Sequence, residues 1–107
     1  MVKKAIKKDI INNIKKFRTV VESDGIPVEK MILFGSYAKG TARKDSDIDV
    51  AVVSKKFGVN DVTEMQWLWK KTHLVDLRIE PYPLNPRDLK FIENPIVSEI
   101  VKWGVLV

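Results

Sequence analysis

Hydrophobic residues recur at different spacings along this 107-residue chain, and each spacing predicts a different element. Ile6, Ile10, Ile14, Phe17 and Val21 fall three and four apart, an apolar stripe on a first helix that ends at Asp24-Gly25-Ile26-Pro27. Lys30 to Phe34 is a short apolar run that stops at Gly35, as a buried strand does. Ser36 to Lys39 has room for one or two helical turns before Gly40, and Ile48 to Val53 is a second strand-length run. After a loop from Lys55 to Val59, Asn60 or Asp61 caps a helix reaching about Thr72, with Val62, Met65 and Trp69 on its buried face. Trp67 lies about 200° around that helix from Trp69, so one of the two faces outward.

From Asp76 to Glu80 polar and apolar residues alternate, which predicts a third strand ending before Pro81, with Asp76, Arg78 and Glu80 on one face. Asn85-Pro86 and Asn94-Pro95 each pair an N-cap residue with proline at the first helical position. The last helix, Pro95 to Trp103, stops at Gly104, leaving Val105-Leu106-Val107 to add an edge strand. This order predicts an α/β (α+β) domain with a small mixed sheet and helices packed mainly on one face. Residues 1–107 are expected to form a single domain.

Composition narrows the chemistry. Without cysteine there are no disulfides, thiolate metal sites or cysteine nucleophiles. No run is apolar over a membrane-spanning length and the basic start leads into no signal-peptide core, so a cytoplasmic protein is expected. The net charge of +5 raises the question of nucleic acid. Residues 1–24 carry seven Lys/Arg against three Asp/Glu, while the remainder has twelve against eleven. The excess reads as the solvated face of the first helix, which weighs against a nucleic-acid partner. His73, at a helix-to-strand junction, reads as structural.

The candidate chemistry lies between the first two strands. Gly35 lets backbone approach a phosphate closely, and Ser36 opens a helix start whose amides and hydroxyl suit anionic oxygens. Asp47 and Asp49 flank Ile48 at the start of a strand, so they share one face. Neighbouring carboxylates need a compensating cation, and hard oxygen ligands suit Mg²⁺. Asp45 lies further out, in the turn. Lys39, Arg43 and Lys44 are candidate phosphate contacts.

The run Gly35-Ser36-Tyr37-Ala38-Lys39-Gly40-Thr41-Ala42-Arg43 followed by Asp45-Ser46-Asp47-Ile48-Asp49 resembles the signature of the DNA polymerase β-like nucleotidyltransferases. More narrowly, it is similar to the minimal nucleotidyltransferases of bacteria and archaea. The resemblance implies a polymerase β-like fold, a nucleoside triphosphate held by Gly35 and Ser36, and two Mg²⁺ ions on Asp47 and Asp49. It also implies a third carboxylate on a later strand. Asp76, read as strand interior, is assigned that place as metal ligand and catalytic residue, with Glu80 as the runner-up beside Pro81. Proteins of this kind often accompany a partner with a HEPN-type domain, and in several pairs act as antitoxin by moving AMP from ATP to a tyrosine of the toxin. That reading stands against a non-catalytic binding module and against nucleotide addition to RNA, DNA or a small molecule. Base preference and homo-oligomerisation are left open.

Overall fold

The computed structural model describes residues 6–107; Lys3 and Lys4, part of the basic first segment, lie outside the described residues. In chain order the elements are α1 (Lys8–Ser23), β1 (Lys30–Phe34), α2 (Ser36–Lys39), β2 (Ile48–Val53), α3 (Asp61–Thr72), β3 (Ile79–Leu84), a 3-10 turn (Pro86–Lys90), α4 (Pro95–Trp103) and β4 (Val105–Leu106). The strands form one mixed sheet in the order β3-β2-β1-β4. β1 is antiparallel to β2 and β4, and β2 is parallel to β3.

Strand alternation divides the core between the two sheet faces. Met31, Leu33, Ile48, Val50, Val52 and Ile79 point to one face, where Ile10, Ile14, Phe17 and Val21 of α1 and Leu68 of α3 cover them. Burying such a side chain is worth roughly 1.5–3 kcal/mol, so this face carries most of the stability. Ile32, Phe34, Ala51 and Val53 point the other way, against Ile100 of α4 and Leu89 of the 3-10 turn. Helices thus pack mainly on one face, and the second is covered in part.

The ends of the helices follow local chemistry. Asn60, rather than Asp61, caps α3 by accepting from the Thr63 amide at 3.1 Å, and Glu64 turns back to accept from the amides of Gly58, Val59 and Asn60. Asn94 accepts from the Ile96 amide at 3.0 Å at the start of α4, with Pro95 inside the first turn. Gly104 ends that helix and β4 follows it onto the edge of β1, as the tail's pattern predicts.

Two expectations need correction. The inward face of α3 is Leu68 and Thr72, whereas Val62 and Trp69 are exposed; Trp67 packs part-buried against the core. The third strand also begins later and runs further than its alternation predicts. It spans Ile79–Leu84, through Pro81 and Pro83. β3 is an edge strand, and in its parallel ladder Arg78 and Leu84 accept from β2-side amides at 2.8 and 2.9 Å. Residues 81 and 83 therefore turn their nitrogens to the open edge, where proline loses no ladder bond. Asp76 is left in the turn after α3, its amide donating to the Thr72 carbonyl at 2.9 Å.

Candidate active site

β1 ends at Phe34, and Gly35 then takes φ 73°, ψ −152°, a conformation that favours glycine. This reverses the chain into α2, a single turn closed by Gly40 in the left-handed region. The same bend lays Gly35 against Asp49, so closely that a Cβ at position 35 would meet the Asp49 side chain. Ser36 opens α2 beside it.

The sheet register gathers the acids. Asp49 pairs with Phe34 on one side and Glu80 on the other, which sets the Asp49 and Glu80 backbones about 4.8 Å apart. Both lie opposite the α1 face, because Ile48 and Ile79 point into that core. Asp47, one residue before β2, interacts with both Asp49 and Glu80. Burial first, then the charges of Asp47 and Glu99, pushes the Asp49 carboxyl up to about 6. Burial, then a hydrogen bond shared with Asp47, then the charges of Asp47 and Asp49 raise the Glu80 carboxyl as well. Carboxylates raised by neighbouring negative charge in this way lack a compensating cation.

Asp76 is elsewhere. Its Oδ2 accepts from Asn13 of α1 at 2.9 Å, and Arg78 donates Nε to Oδ1 at 3.1 Å and Nη2 to Oδ2 at 2.8 Å. The hydrogen bond from Arg78 holds the Asp76 carboxyl below its ordinary value despite some burial. Asp76 already has its cation, on the α1 side, and the structure does not bring it together with Asp47 and Asp49. The carboxylate it does bring there is Glu80. The physical reason is the late start of β3: Asp76 and Arg78 precede the strand, so the alternation that joined them to Glu80 does not hold.

Three further residues belong to these surroundings. Tyr82 follows Glu80 on the same strand face, packs on Phe34 with ring centroids 5.3 Å apart, and has its phenol raised by burial and then by Asp49, Glu80 and Asp47. Glu99 and Lys39 form an ion pair that ties α4 to α2 beside Asp49. Tyr82 was missed because the strand is expected to end before Pro81; it becomes the next same-face position only once β3 runs on to Leu84. Glu99 carries no sequence signal, since only the packing of α4 brings it near. Arg43 and Lys44 line a different space, on the α1 side with Arg78.

Among the described residues no three Asp, Glu or His side chains already close around a point that would hold an ion. The donor set nevertheless fits a hard divalent cation, being all carboxylate oxygen. Asp47 and Glu80 are exposed residues, and rotating exposed side chains is a small rearrangement.

A positive-φ glycine and a serine beside strand-borne carboxylates are chemically suited to phosphate oxygens and a hard cation. Residues 14–102 match the nucleotidyltransferase domain family. The chain belongs to that family. Among related proteins, the chain is 35% identical over 93 residues to the CCA-adding enzyme of Picrophilus torridus, covering 86% of the chain and 21% of the enzyme. It is also similar to two Methanocaldococcus jannaschii proteins, each named "putative protein adenylyltransferase". One is 33% identical over 66% of this chain and 52% of its own length, the other 28% identical over 91% and 94%. The chain thus spans about a fifth of the first relative and about half of the second.

Solved structures agree on the fold. A toxin–antitoxin crystal structure with AMP-PNP superposes with TM-score 0.59 at 24% identity, over 94% of this chain and 72% of the other. A complex of tri-AMPylated Shewanella oneidensis HEPN toxin with MNT antitoxin gives 0.57 at 18%, over 91% and 70%. No helix among the described residues is long and apolar enough to cross a membrane.

Proposed function

We propose that this domain transfers a nucleoside monophosphate, AMP from ATP, to an acceptor hydroxyl, with Asp47, Asp49 and Glu80 as its acidic triad. The observation that carries this reading is the register that sets Glu80 beside Asp49, with Asp47 hydrogen-bonded to Glu80 and Asp49 against Gly35. Asp47, Asp49 and Glu80 would hold Mg²⁺, with two ions the expected number. When bound, such ions neutralise the triphosphate and stabilise attacking and leaving oxygens. Ser36 and the amides opening α2 bind the outer phosphates. Glu80, with its affinity for protons raised, takes the proton from the acceptor hydroxyl. The acceptor oxygen then bonds to the α-phosphorus as the bond to pyrophosphate breaks.

The acceptor we favour is a tyrosine on a HEPN-type toxin partner, which makes the protein an antitoxin. Support comes from the adenylyltransferase names of two relatives and from the AMPylated HEPN toxin bound to the fold neighbour. One observation favours a second reading, nucleotide addition to RNA: the 35% identity to a CCA-adding enzyme. Incubation with labelled ATP and Mg²⁺, with a HEPN-type partner in one reaction and an RNA oligomer in another, tests both. Label on a partner tyrosine supports the first reading and label on RNA the second. A stable complex with no transfer to either leaves neither standing and makes the domain a binding module.

A further inference from the structure

On the opposite side of α2 from the carboxylates lies a cavity of about 520 Å³, within the usual range of about 300–1,000 Å³ for ligand pockets. Lys7, Arg43, Lys44 and Arg78 line it, with Ile10 and Tyr37 among its apolar surfaces, and no carboxylate is among the described residues that line it. The acids whose charges act on Arg78 are Asp76, which it engages, and Asp9; Asp45 follows Lys44 in the chain.

Arg78 is fixed before any ligand arrives. Asp76 accepts from its Nε and Nη2, while Nη1 reaches the Tyr37 hydroxyl and the Lys44 carbonyl, each at 3.4 Å. Asn13 steadies Asp76 from α1. A guanidinium held in one plane loses little freedom on binding, and its flat face stacks on planar aromatic groups such as a base. Tyr37 and Ile6, both part-exposed, add flat and apolar surface, which phosphate alone would not use but a base or ribose would.

We propose that this cavity binds a nucleotide, separately from the carboxylate site and independently of transfer there. Phosphate sits among Arg43, Lys44 and Lys7, and the base packs towards Tyr37 and Arg78. Two sources share this chemistry, a free nucleotide and the terminal nucleotide of an RNA strand. The role of Asp76 is then to position Arg78.

The test is equilibrium dialysis with labelled AMP, a short labelled RNA oligomer, inorganic phosphate and an acidic peptide, all in EDTA so that the carboxylates repel anions. AMP or the oligomer should bind, and the double variant R43E/K44E, in an exposed loop, should weaken that binding on the order of tenfold or more with an unchanged circular dichroism spectrum. Tighter binding of AMP identifies the free nucleotide, and tighter binding of the oligomer identifies a strand end; both support the proposal. Three results overturn it: no binding by the native chain, binding untouched by the charge reversal, or equal affinity for phosphate or the peptide.

Discussion

Gly35 and Asp49 occupy adjoining space that only a missing side chain keeps open. A Cβ on residue 35 would stand 3.0 Å from Asp49 Cγ and closer still to Oδ2. The left-handed backbone at Gly35 and the seat of the first strand-borne acid are thus one feature. Gly35→Ala should cost about 1–3 kcal/mol of stability and lower transfer on the order of a hundredfold, since the carboxylate must move. Gly25 supplies the control, because it also has positive φ but a Cβ there would meet nothing within 4 Å. Gly25→Ala should lose stability by strain alone and keep its transfer rate. Equal transfer by the two variants, measured alongside chemical denaturation, would show that Gly35 matters to the backbone and not to Asp49.

Glu80 and Asp76 make opposite predictions although four residues separate them. Glu80→Gln removes a repelling carboxylate and should leave stability unchanged or raised while nearly abolishing transfer. Asp76→Asn removes the partner of Arg78 and Asn13 and should cost about 1.5–3 kcal/mol, yet keep at least about a tenth of the transfer rate. The Asp76 carboxyl is held below its unfolded value, so its contribution is present above the ordinary carboxylate range and is lost as pH falls through the folded value. Acid denaturation of the native chain should therefore be steeper than that of Asp76→Asn. A variant of Asp76 with no transfer and native stability would restore it as the third acidic ligand.

What the sequence conveys here follows from how strongly each pattern constrains one side of an element. The α1 stripe and the β1 and β2 runs were legible because Ile10, Ile14, Phe17 and Val21 leave only one face to bury, and β1 and β2 lie at the centre of the sheet. Asp47, Asp49, Gly35 and Ser36 were readable as candidates because they flank the one connection, through α2, between β1 and β2. In α3, Val62-Met65-Trp69 and Met65-Leu68-Thr72 are both helical spacings, and contact with the sheet selects the second. Glu80 was ranked second because Pro81 reads as a strand end, and only the edge position of β3 makes the prolines harmless. The ion pair of Asp76 with Arg78 depends on a turn that alternation alone does not reveal.

The raised Asp49 carboxyl links stability, pH and cation in one experiment. Its folded value is about 6, against 3.8 as the ordinary value, so the folded state binds the proton more tightly than the unfolded chain. Stability from this group is present below the unfolded value and is lost as pH rises through about 6. Without a divalent cation, the native chain should lose about 1–2 kcal/mol between pH 4 and pH 7, a figure reduced from the full shift because Asp49 is part-exposed. Asp49→Asn should remove that loss and be the more stable protein at pH 7, while transferring almost no nucleotide. Asp47→Asn should likewise fold and fail to transfer. Mg²⁺ at pH 7 should raise the melting temperature of the native chain and leave Asp49→Asn nearly unmoved, as binding to the folded state alone requires. Thermal denaturation of the two proteins at both pH values, with and without Mg²⁺, checks every part. An equal Mg²⁺ response in native and Asp49→Asn protein would remove Asp49 from the metal site.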